Sequence, residues 1–225
     1  MSIVETAVWD EGDPLCRKVG ESEDGLRLAH WMVSHWQQSG LSTLGQRWLE
    51  LGTGCGAVAV EIARQIPECT IDALEIQPSL VERAQARVRF HQLTQRVRVL
   101  EADLRNPPRE IAETAYAAVF ANPPYYPVGR GRVPPDPIRA QARFEYNGTV
   151  AEFIQRGASQ LVPGGVFGMV LRPERLPESL ALLESVDLFP SRMRPLYHDD
   201  HASKGASLVL VMAVYGRKQV FTITR

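Results

Sequence analysis

Residues 47–66 read RWLELGTGCGAVAVEIARQI and contain the pattern that decides the fold. The apolar residues of 47–51 predict a short buried strand, and the apolar spacing in 58–66 predicts a helix. Between the two, glycines allow a tight turn and let the backbone approach a ligand closely. The unpaired N–H groups at the start of the next helix favour a polar or anionic ligand. This strand, glycine loop and helix therefore predict a site for a nucleotide-like cofactor.

The alternation of strand and helix continues along the chain. Apolar segments predict further strands at 70–74, 97–100, 117–121, 166–171, 207–215 and 220–223. Amphipathic spacing predicts helices at 26–36, 79–90, 150–161 and 175–186, and a long loop rich in Pro, Gly and Arg at 122–146. Strands that alternate with helices are typical of a parallel sheet covered on both faces.

The composition is that of a soluble globular protein. The 225 residues carry 25 Lys+Arg and 26 Asp+Glu and are 44% hydrophobic, which excludes extensive disorder. The longest apolar run, 208–215, is too short to cross a bilayer and no signal segment opens the chain, so we expect a cytoplasmic location with no membrane contact. We expect a polar N-terminal arm over 1–25 and a single domain over 26–225.

The charges divide unevenly along the chain. Residues 1–121 carry 12 basic and 17 acidic residues, whereas 122–225 carry 13 basic and 9 acidic ones. A polyanionic partner is therefore expected to contact the second half.

Neither cysteines nor histidines indicate a metal site. The three cysteines are an odd number without a C-x-x-C pair, which argues against a disulfide framework and a zinc site. The segment 198–201, His-Asp-Asp-His, places four adjacent residues that cannot easily converge on one ion, so we predict no bound metal.

Two cofactors fit the glycine loop. Gly52, Gly54 and Ala57 match a dinucleotide fingerprint, and Glu75 follows about 20 residues later, where a carboxylate would bind a ribose. The same loop, however, has an acidic residue before three glycines and resembles that of class I S-adenosylmethionine-dependent methyltransferases. That resemblance implies a Rossmann-like, seven-stranded, mostly parallel α/β sheet with an antiparallel C-terminal strand. It also implies cofactor contacts from Glu50, Gly52, Thr53, Gly54, Gly56, Glu75, Asp103 and Asn122, with Asp103 on the adenine.

The tetrapeptide Asn122-Pro123-Pro124-Tyr125 follows the fourth predicted strand and should lie at the same sheet edge as the glycine loop. It resembles the catalytic signature of methyltransferases that modify adenine N6, cytosine N4 or the glutamine amide. The Asn122 oxygen and the Pro123 carbonyl can each accept one hydrogen of such an amino group, which favours its attack on a methyl group. The prolines stiffen the backbone, Tyr125 would stack on the base, and no strong general base is required.

A longer stretch narrows the substrate. Residues 122–132, NPPYYPVGRGR, together with 140–145 and RPERL at 172–176, resemble the bacterial valine-tRNA (adenine-N6) methyltransferase family. The resemblance implies methylation of adenine N6 in a tRNA. Guanidinium groups beside the target pocket would contact RNA phosphates, and we assign this role to Arg130, Arg132, Arg143 and Arg172.

Three alternatives remain open from the residues. Protein-glutamine methylation uses the same tetrapeptide and does not need the arginines. A catalytically silent RNA-binding module would fail to bind S-adenosylmethionine. NAD-dependent reduction leaves Asn122-Pro123-Pro124-Tyr125 without a role.

Overall fold

The structure is a computed structural model and describes residues 23–39, 46–129, 133–197 and 205–224. Within those ranges the chain forms one sheet of eight strands and seven α-helices. In chain order the elements are α1 (Glu23–Gln38), β1 (Arg47–Leu51), α2 (Ala57–Gln65), β2 (Thr70–Glu75), α3 (Pro78–Phe90), β3 (Val97–Glu101), α4 (Arg109–Ala112), β4 (Tyr116–Ala121), α5 (Pro137–Arg143), α6 (Val150–Ser159), β5 (Leu161–Leu171), α7 (Leu176–Ser185), β6 (Leu188–Leu196), β7 (Leu208–Tyr215) and β8 (Thr222–Ile223).

The strand order is β3-β2-β1-β4-β5-β7-β6-β8. The first five strands of this order are parallel, and β7 is antiparallel to both β5 and β6. The chain moves outward from β1 through β2 to β3 and then returns to place β4 on the other side of β1. The predicted Rossmann-like, mostly parallel α/β sheet with an antiparallel C-terminal strand is therefore confirmed.

The strand count differs from the predicted seven because β6 was not predicted. Its sequence, LFPSRMRPL, contains two prolines and two arginines, which argue against a strand when read locally. Pro190 lies where the pairing of β6 with β7 shifts register. The tertiary structure places β6 next to a fully apolar neighbour, β7, and this pairing outweighs the weak local preference.

Two predicted boundaries also change. α1 begins at Glu23, so the last three residues of the predicted arm belong to its first turn, while 1–22 lie outside the described residues. Glu23 and Asp24 suit that turn because carboxylates favour the positive end of the helix dipole. Inside the predicted loop 122–146, α5 forms and Tyr126 makes an isolated bridge with Phe144.

Each face of the sheet has its own hydrophobic core. One core combines α1, α2 and α3 with side chains such as Trp48, Ile71 and Phe120. The other combines α4, α6 and α7 with the alternate side chains, such as Leu49 and Val119. Trp36 belongs to the first core, since it is 3% exposed and its ring centroid lies 5.0 Å from that of Trp48. No helix in the described ranges is long and apolar enough to span a bilayer.

An ion-pair network fixes the amino-terminal end of the sheet. The carboxylate of Asp72 in β2 is almost fully buried and accepts hydrogen bonds from Arg47 (2.6 Å), Arg98 (2.8 Å) and the hydroxyl of Tyr116 (2.8 Å). These partners lie on β1, β3 and β4, so one side chain joins four strands. Removing this carboxylate would leave the buried Tyr116 hydroxyl without its acceptor and would take one acceptor from each of the two half-exposed guanidinium groups.

We predict that Asp72→Ala lowers the free energy of unfolding by about 2–4 kcal/mol, because the loss of one partner strands the remaining buried polar groups. Urea unfolding followed by tryptophan fluorescence measures the change. The matched control is Glu113→Ala, which removes an exposed carboxylate that accepts a hydrogen bond from Arg109. The control should cost less than about 0.5 kcal/mol, and an equal effect of the two substitutions would contradict the network's role.

Candidate active site

A cavity of about 520 Å³ opens at the carboxyl end of β1, between β2 and β4. In parallel sheets the reversal of strand order opens a crevice at this point, and ligands bind there. The volume lies in the usual range for small-molecule sites, about 300–1,000 Å³. Its wall is formed by the glycine loop after β1, the segments that follow β2, β3 and β4, and parts of α1, α3, α5 and α6.

Left-handed backbone conformations shape the glycine loop. Gly52, Gly54 and Gly56 have φ values of 70°, 58° and 81°. At Gly56 a Cβ atom would lie 3.0 Å from the Cβ and 3.1 Å from the Cα of Ala84 in α3, so glycine there also permits close packing of the loop on that helix. The Thr53 N–H donates to the Leu74 carbonyl at 2.8 Å and ties the loop to the end of β2.

Glu50, the last residue but one of β1, is a buried carboxyl group in the cavity wall. The Thr53 hydroxyl donates a hydrogen bond to it at 2.5 Å. Burial raises the pKa of Glu50 to about 8, the hydrogen bonds from Thr53 and the Ala59 backbone oppose this shift, and the nearby charge of Glu75 adds to it. The site therefore contains an acid that holds its proton near neutral pH until a cationic or hydrogen-bonding ligand enters.

Glu75 ends β2 and is also buried in the cavity wall. Its two carboxylate oxygens accept backbone N–H bonds from Gly54 at 2.8 Å and from Gln77 at 2.9 Å. Burial raises the pKa of Glu75, although these hydrogen bonds act in the opposite direction. Each oxygen keeps a further lone pair, so the fixed carboxylate can also accept hydrogen bonds from ligand hydroxyl groups.

The segment 122–125 enters the same cavity from β4. Leu51 and Ala121 are register partners in β1 and β4, so the residues that follow them leave the sheet side by side. Asn122, Pro123, Pro124 and Tyr125 all line the cavity. The Tyr125 hydroxyl lies 3.0 Å from Asn122 Oδ1 and 3.2 Å from Asp24 Oδ2. The structure thus brings the two predicted motifs, 70 residues apart in the chain, side by side into the wall of one cavity.

Comparison with known proteins agrees with this geometry. The family model of the methyltransferase domain matches residues 49–128, which contain the glycine loop, Glu75, Asp103 and 122–125. A tRNA1(Val) (adenine(37)-N6)-methyltransferase of Porphyromonas gingivalis is 24% identical over 172 residues, covering 76% of this chain and 65% of the relative. A release factor glutamine methyltransferase of Thermosynechococcus vestitus is 33% identical over 107 residues, covering 48% of this chain and 34% of the relative.

A solved structure shares the fold. The 16S rRNA N2-guanine methyltransferase of T. thermophilus, solved in complex with AdoMet and guanosine, superposes with a TM-score of 0.59 at 20% identity. The match covers 88% of this chain and 44% of that one.

Over residues 49–128 the chain matches a methyltransferase domain, and it resembles class I S-adenosylmethionine-dependent methyltransferases.

The third acidic residue predicted to contact the cofactor, Asp103, is paired within the protein. Asp103 follows β3, and the Arg105 guanidinium donates to both of its carboxylate oxygens at 2.6–2.9 Å. These contacts hold the pKa of Asp103 below its ordinary value. Its neighbours Ala102 and Leu104 line the cavity, so Asp103 lies beside the cavity with its carboxylate on Arg105. Its predicted contact with the cofactor adenine stays a prediction.

The four arginines that were predicted to bind the substrate differ in their surroundings. Arg143, at the end of α5, is exposed and lines the cavity. Arg172 instead donates to Glu174 at 2.9 Å and to the Tyr126 hydroxyl at 3.1 Å, and its guanidinium lies 5.1 Å from the centre of the Tyr126 ring. Arg130 and Arg132 lie outside the described residues.

Several residues that line the cavity of the methyltransferase domain were not predicted from the sequence. They are Asp24, Gln141, Asn147 and Phe153, among others. Asp24 was assigned to the polar arm, and no local signal distinguishes it from the acidic residues around it. The amphipathic pattern of 26–36 could have indicated the position of Asp24, because a helix that packs beside the glycine loop brings its first turn to the cavity.

In the described part of the chain no three His, Cys, Asp or Glu residues are grouped to hold an ion, and the absence of a bound metal stays a prediction. Within the described residues, neither Cys55 nor Cys69 takes part in a disulfide bond. Cys16 and the segment 198–201 lie outside the described residues.

We predict that Glu50 makes the free energy of unfolding depend on pH. Its carboxyl group is protonated up to pH about 8 in the folded domain but loses its proton near pH 4.5 when unfolded. Between these values the folded state binds more protons, so the contribution of Glu50 to stability is present at low pH and declines as the pH rises towards 8. Urea unfolding of Glu50→Gln and the unmutated protein at pH 6, 7 and 8 measures this decline.

As the pH rises, the free energy of unfolding of Glu50→Gln should increase relative to that of the unmutated protein, by up to about 1.4 kcal/mol per pH unit. Glu184→Gln, at an exposed position of α7, serves as the control and should leave the difference constant. A pH-independent difference for Glu50→Gln would show that Glu50 ionises normally in the folded protein.

Proposed function

We propose that this chain transfers the methyl group of S-adenosylmethionine to the N6 amino group of adenine in RNA, and that the RNA is a tRNA. The observation that carries the proposal is the shared cavity, which is lined by Glu50 and Glu75 and by Asn122 to Tyr125. Cofactor-type acids and an amino-group acceptor therefore face one space. The chain covers 65% of the first tRNA methyltransferase relative, and the substrate is proposed rather than carried over from it.

The residues present fit S-adenosylmethionine. The cofactor supplies, when bound, an electrophilic methyl group on a sulfonium ion. Glu50 and the loop from Gly52 to Gly56 would hold its methionine and ribose end, and Glu75 would accept the ribose hydroxyl hydrogens. Buried carboxylates suit this cation and these hydroxyls, because a charged acceptor forms a stronger hydrogen bond than a neutral one.

Asn122 and Pro123 would orient the target nitrogen. The lone pair of an exocyclic amino group is delocalised into the ring, and the nitrogen must become more tetrahedral to attack. The Asn122 oxygen and the Pro123 carbonyl, each accepting one amino hydrogen, would favour that geometry. Pro123 is buried, so the carbonyl acceptor is fixed. The Tyr125 ring would stack on the base.

Three observations support RNA as the substrate. Arg143 is an exposed cation in the wall of the cavity. The second half of the chain, which supplies α5 and the 122–125 segment, carries the excess of basic residues. Relatives named as tRNA adenine-N6 methyltransferases match about three quarters of this chain. A tRNA substrate would place the reaction in the cytoplasm.

Protein-glutamine methylation is the second candidate. Relatives named as release factor and ribosomal protein uL3 glutamine methyltransferases are 33% identical to this chain over 107 and 109 residues. The glutamine amide has the same need for two acceptors at its nitrogen. The silent RNA-binding module and NAD-dependent reduction are less well supported, because neither gives the 122–125 segment a role in the cavity.

We predict that the protein incorporates labelled methyl groups from S-adenosylmethionine into unmodified bulk tRNA, with N6-methyladenosine as the product after nucleoside digestion. Asn122→Ala should lower kcat by about 10²–10³-fold, because a fixed acceptor at the reacting nitrogen is lost. Calorimetric titration with the cofactor shows whether the variant still binds it. Methylation of a purified release factor but not of tRNA would contradict the adenine assignment.

The cation in the cavity wall gives a second, independent prediction. Arg143→Ala should raise the KM for tRNA and reduce the salt dependence of binding by about one ion, since one phosphate contact is lost. The matched control is Arg109→Ala, which removes an exposed arginine of α4 that does not line the cavity. Equal losses in both variants would indicate a general charge effect instead of a contact at the site.

A further inference from the structure

The Tyr125 hydroxyl lies between two oxygen atoms from distant parts of the chain. One is Asn122 Oδ1, at 3.0 Å, and the other is Asp24 Oδ2, at 3.2 Å. Asp24 belongs to the first turn of α1 and lines the same cavity as Tyr125. The packing of α1 beside α2 brings this carboxylate to the 122–125 segment from 101 positions away in the sequence.

A tyrosine hydroxyl has one proton to donate, whereas the Asn122 oxygen and the Asp24 carboxylate act here as acceptors. The hydroxyl can therefore donate fully to only one of them at a time. When it donates to Asn122, it occupies part of the acceptor capacity of that oxygen. When it donates to Asp24, the charge on the acceptor makes the hydrogen bond stronger.

We propose that Asp24 is a positioning residue that acts through Tyr125. Its carboxylate accepts the hydrogen bond of the Tyr125 hydroxyl, which leaves the Asn122 oxygen available to accept a hydrogen bond from the substrate amino group. This inference rests on the proposed function, because it needs an amino group at Asn122. It applies equally to adenine and to a glutamine amide, since both present an N–H to the same oxygen.

Asp24 contributes to the first turn of α1 through the helix dipole, and it shares this contribution with Glu23. The helix is anchored by its apolar face, including Leu28, Met32 and Trp36, each at most 3% exposed. Asp24 itself is only partly buried. A substitution there should leave the fold intact, and its effect should appear in the chemical step.

The neighbouring residue offers a matched control. Glu23 lies in the same helical turn, is exposed and pairs with Arg27 one turn along α1. Glu23→Gln removes the same charge as Asp24→Asn without touching the cavity, because Glu23 does not line it.

The test is a double-mutant cycle with Asp24→Asn, Tyr125→Phe and the combined variant, measured as kcat and KM for tRNA methylation. Tyr125→Phe keeps the ring and removes only the hydroxyl. We expect Asp24→Asn to lower kcat about tenfold, which is the loss of one charge-assisted contact, while the Kd for S-adenosylmethionine by calorimetry stays unchanged. In the Tyr125→Phe background Asp24→Asn should have no further effect, because the group through which it acts is gone.

Three results would overturn the inference. Asp24→Asn activity equal to that of Glu23→Gln would remove any role for Asp24. A tenfold loss that persists in the Tyr125→Phe background would show that Asp24 acts without Tyr125. A weaker Kd for S-adenosylmethionine in Asp24→Asn would place the carboxylate on the cofactor.

The proposed function can fail separately. If the unmutated protein makes no N6-methyladenosine in tRNA, the same cycle is measured on a purified release factor. A non-additive cycle there supports Asp24 and Tyr125 while it rejects the RNA substrate. Activity on neither acceptor rejects the assignment of 122–125 as an amino-group site, and the inference with it.

Discussion

The register between β1 and β4 is the constraint on which the site depends. Leu51 lies opposite Ala121 in the parallel pair, so Gly52 and Asn122 leave the sheet as neighbours. Each strand then feeds a different structure, since the glycine loop turns into α2 and the 122–125 segment continues away from the sheet. A slip of one residue would turn the side chains of the shifted strand to the other face. The two hydrophobic cores, which take alternate residues of the same strands, prevent that slip.

Charge is distributed differently at the two ends of this sheet. At the amino-terminal end, Asp72 forms ion pairs with two arginines and accepts a hydrogen bond from a tyrosine, and the network joins four strands. At the carboxyl end, Glu50 and Glu75 are buried with hydroxyl and backbone donors, and burial raises both pKa values. Buried acids without a cationic partner cost stability. The domain carries that cost where a cationic ligand would offset it, and completes its charge pairing at the opposite end.

The segment that follows 122–125 contains a helix and internal contacts where the sequence predicted a loop. α5 and the contacts of Tyr126 with Phe144 give the segment after 122–125 a small core of its own. Arg175 joins this core to the start of α7 through the buried carboxylate of Glu145 at 3.0 Å. The arginines of the RPERL stretch are therefore engaged in internal contacts, whereas Arg143 is exposed in the wall of the cavity. The sequence alone did not distinguish the internally paired arginines from the exposed one.

Sequence determined the elements whose signals are local. The 47–66 stretch, the alternation of strands and helices and the tetrapeptide 122–125 were sufficient for the fold class and for the expectation that both motifs meet at one sheet edge, because parallel strands place their carboxyl ends together. Tertiary structure decided what depends on distant partners. The strand β6 forms despite its prolines because β7 offers an apolar edge, and α1 brings Asp24 within 3.2 Å of Tyr125. The contact of Arg172 with Tyr126 was likewise decided by packing, because a side chain takes its partners from the whole fold and its neighbours in sequence do not specify them.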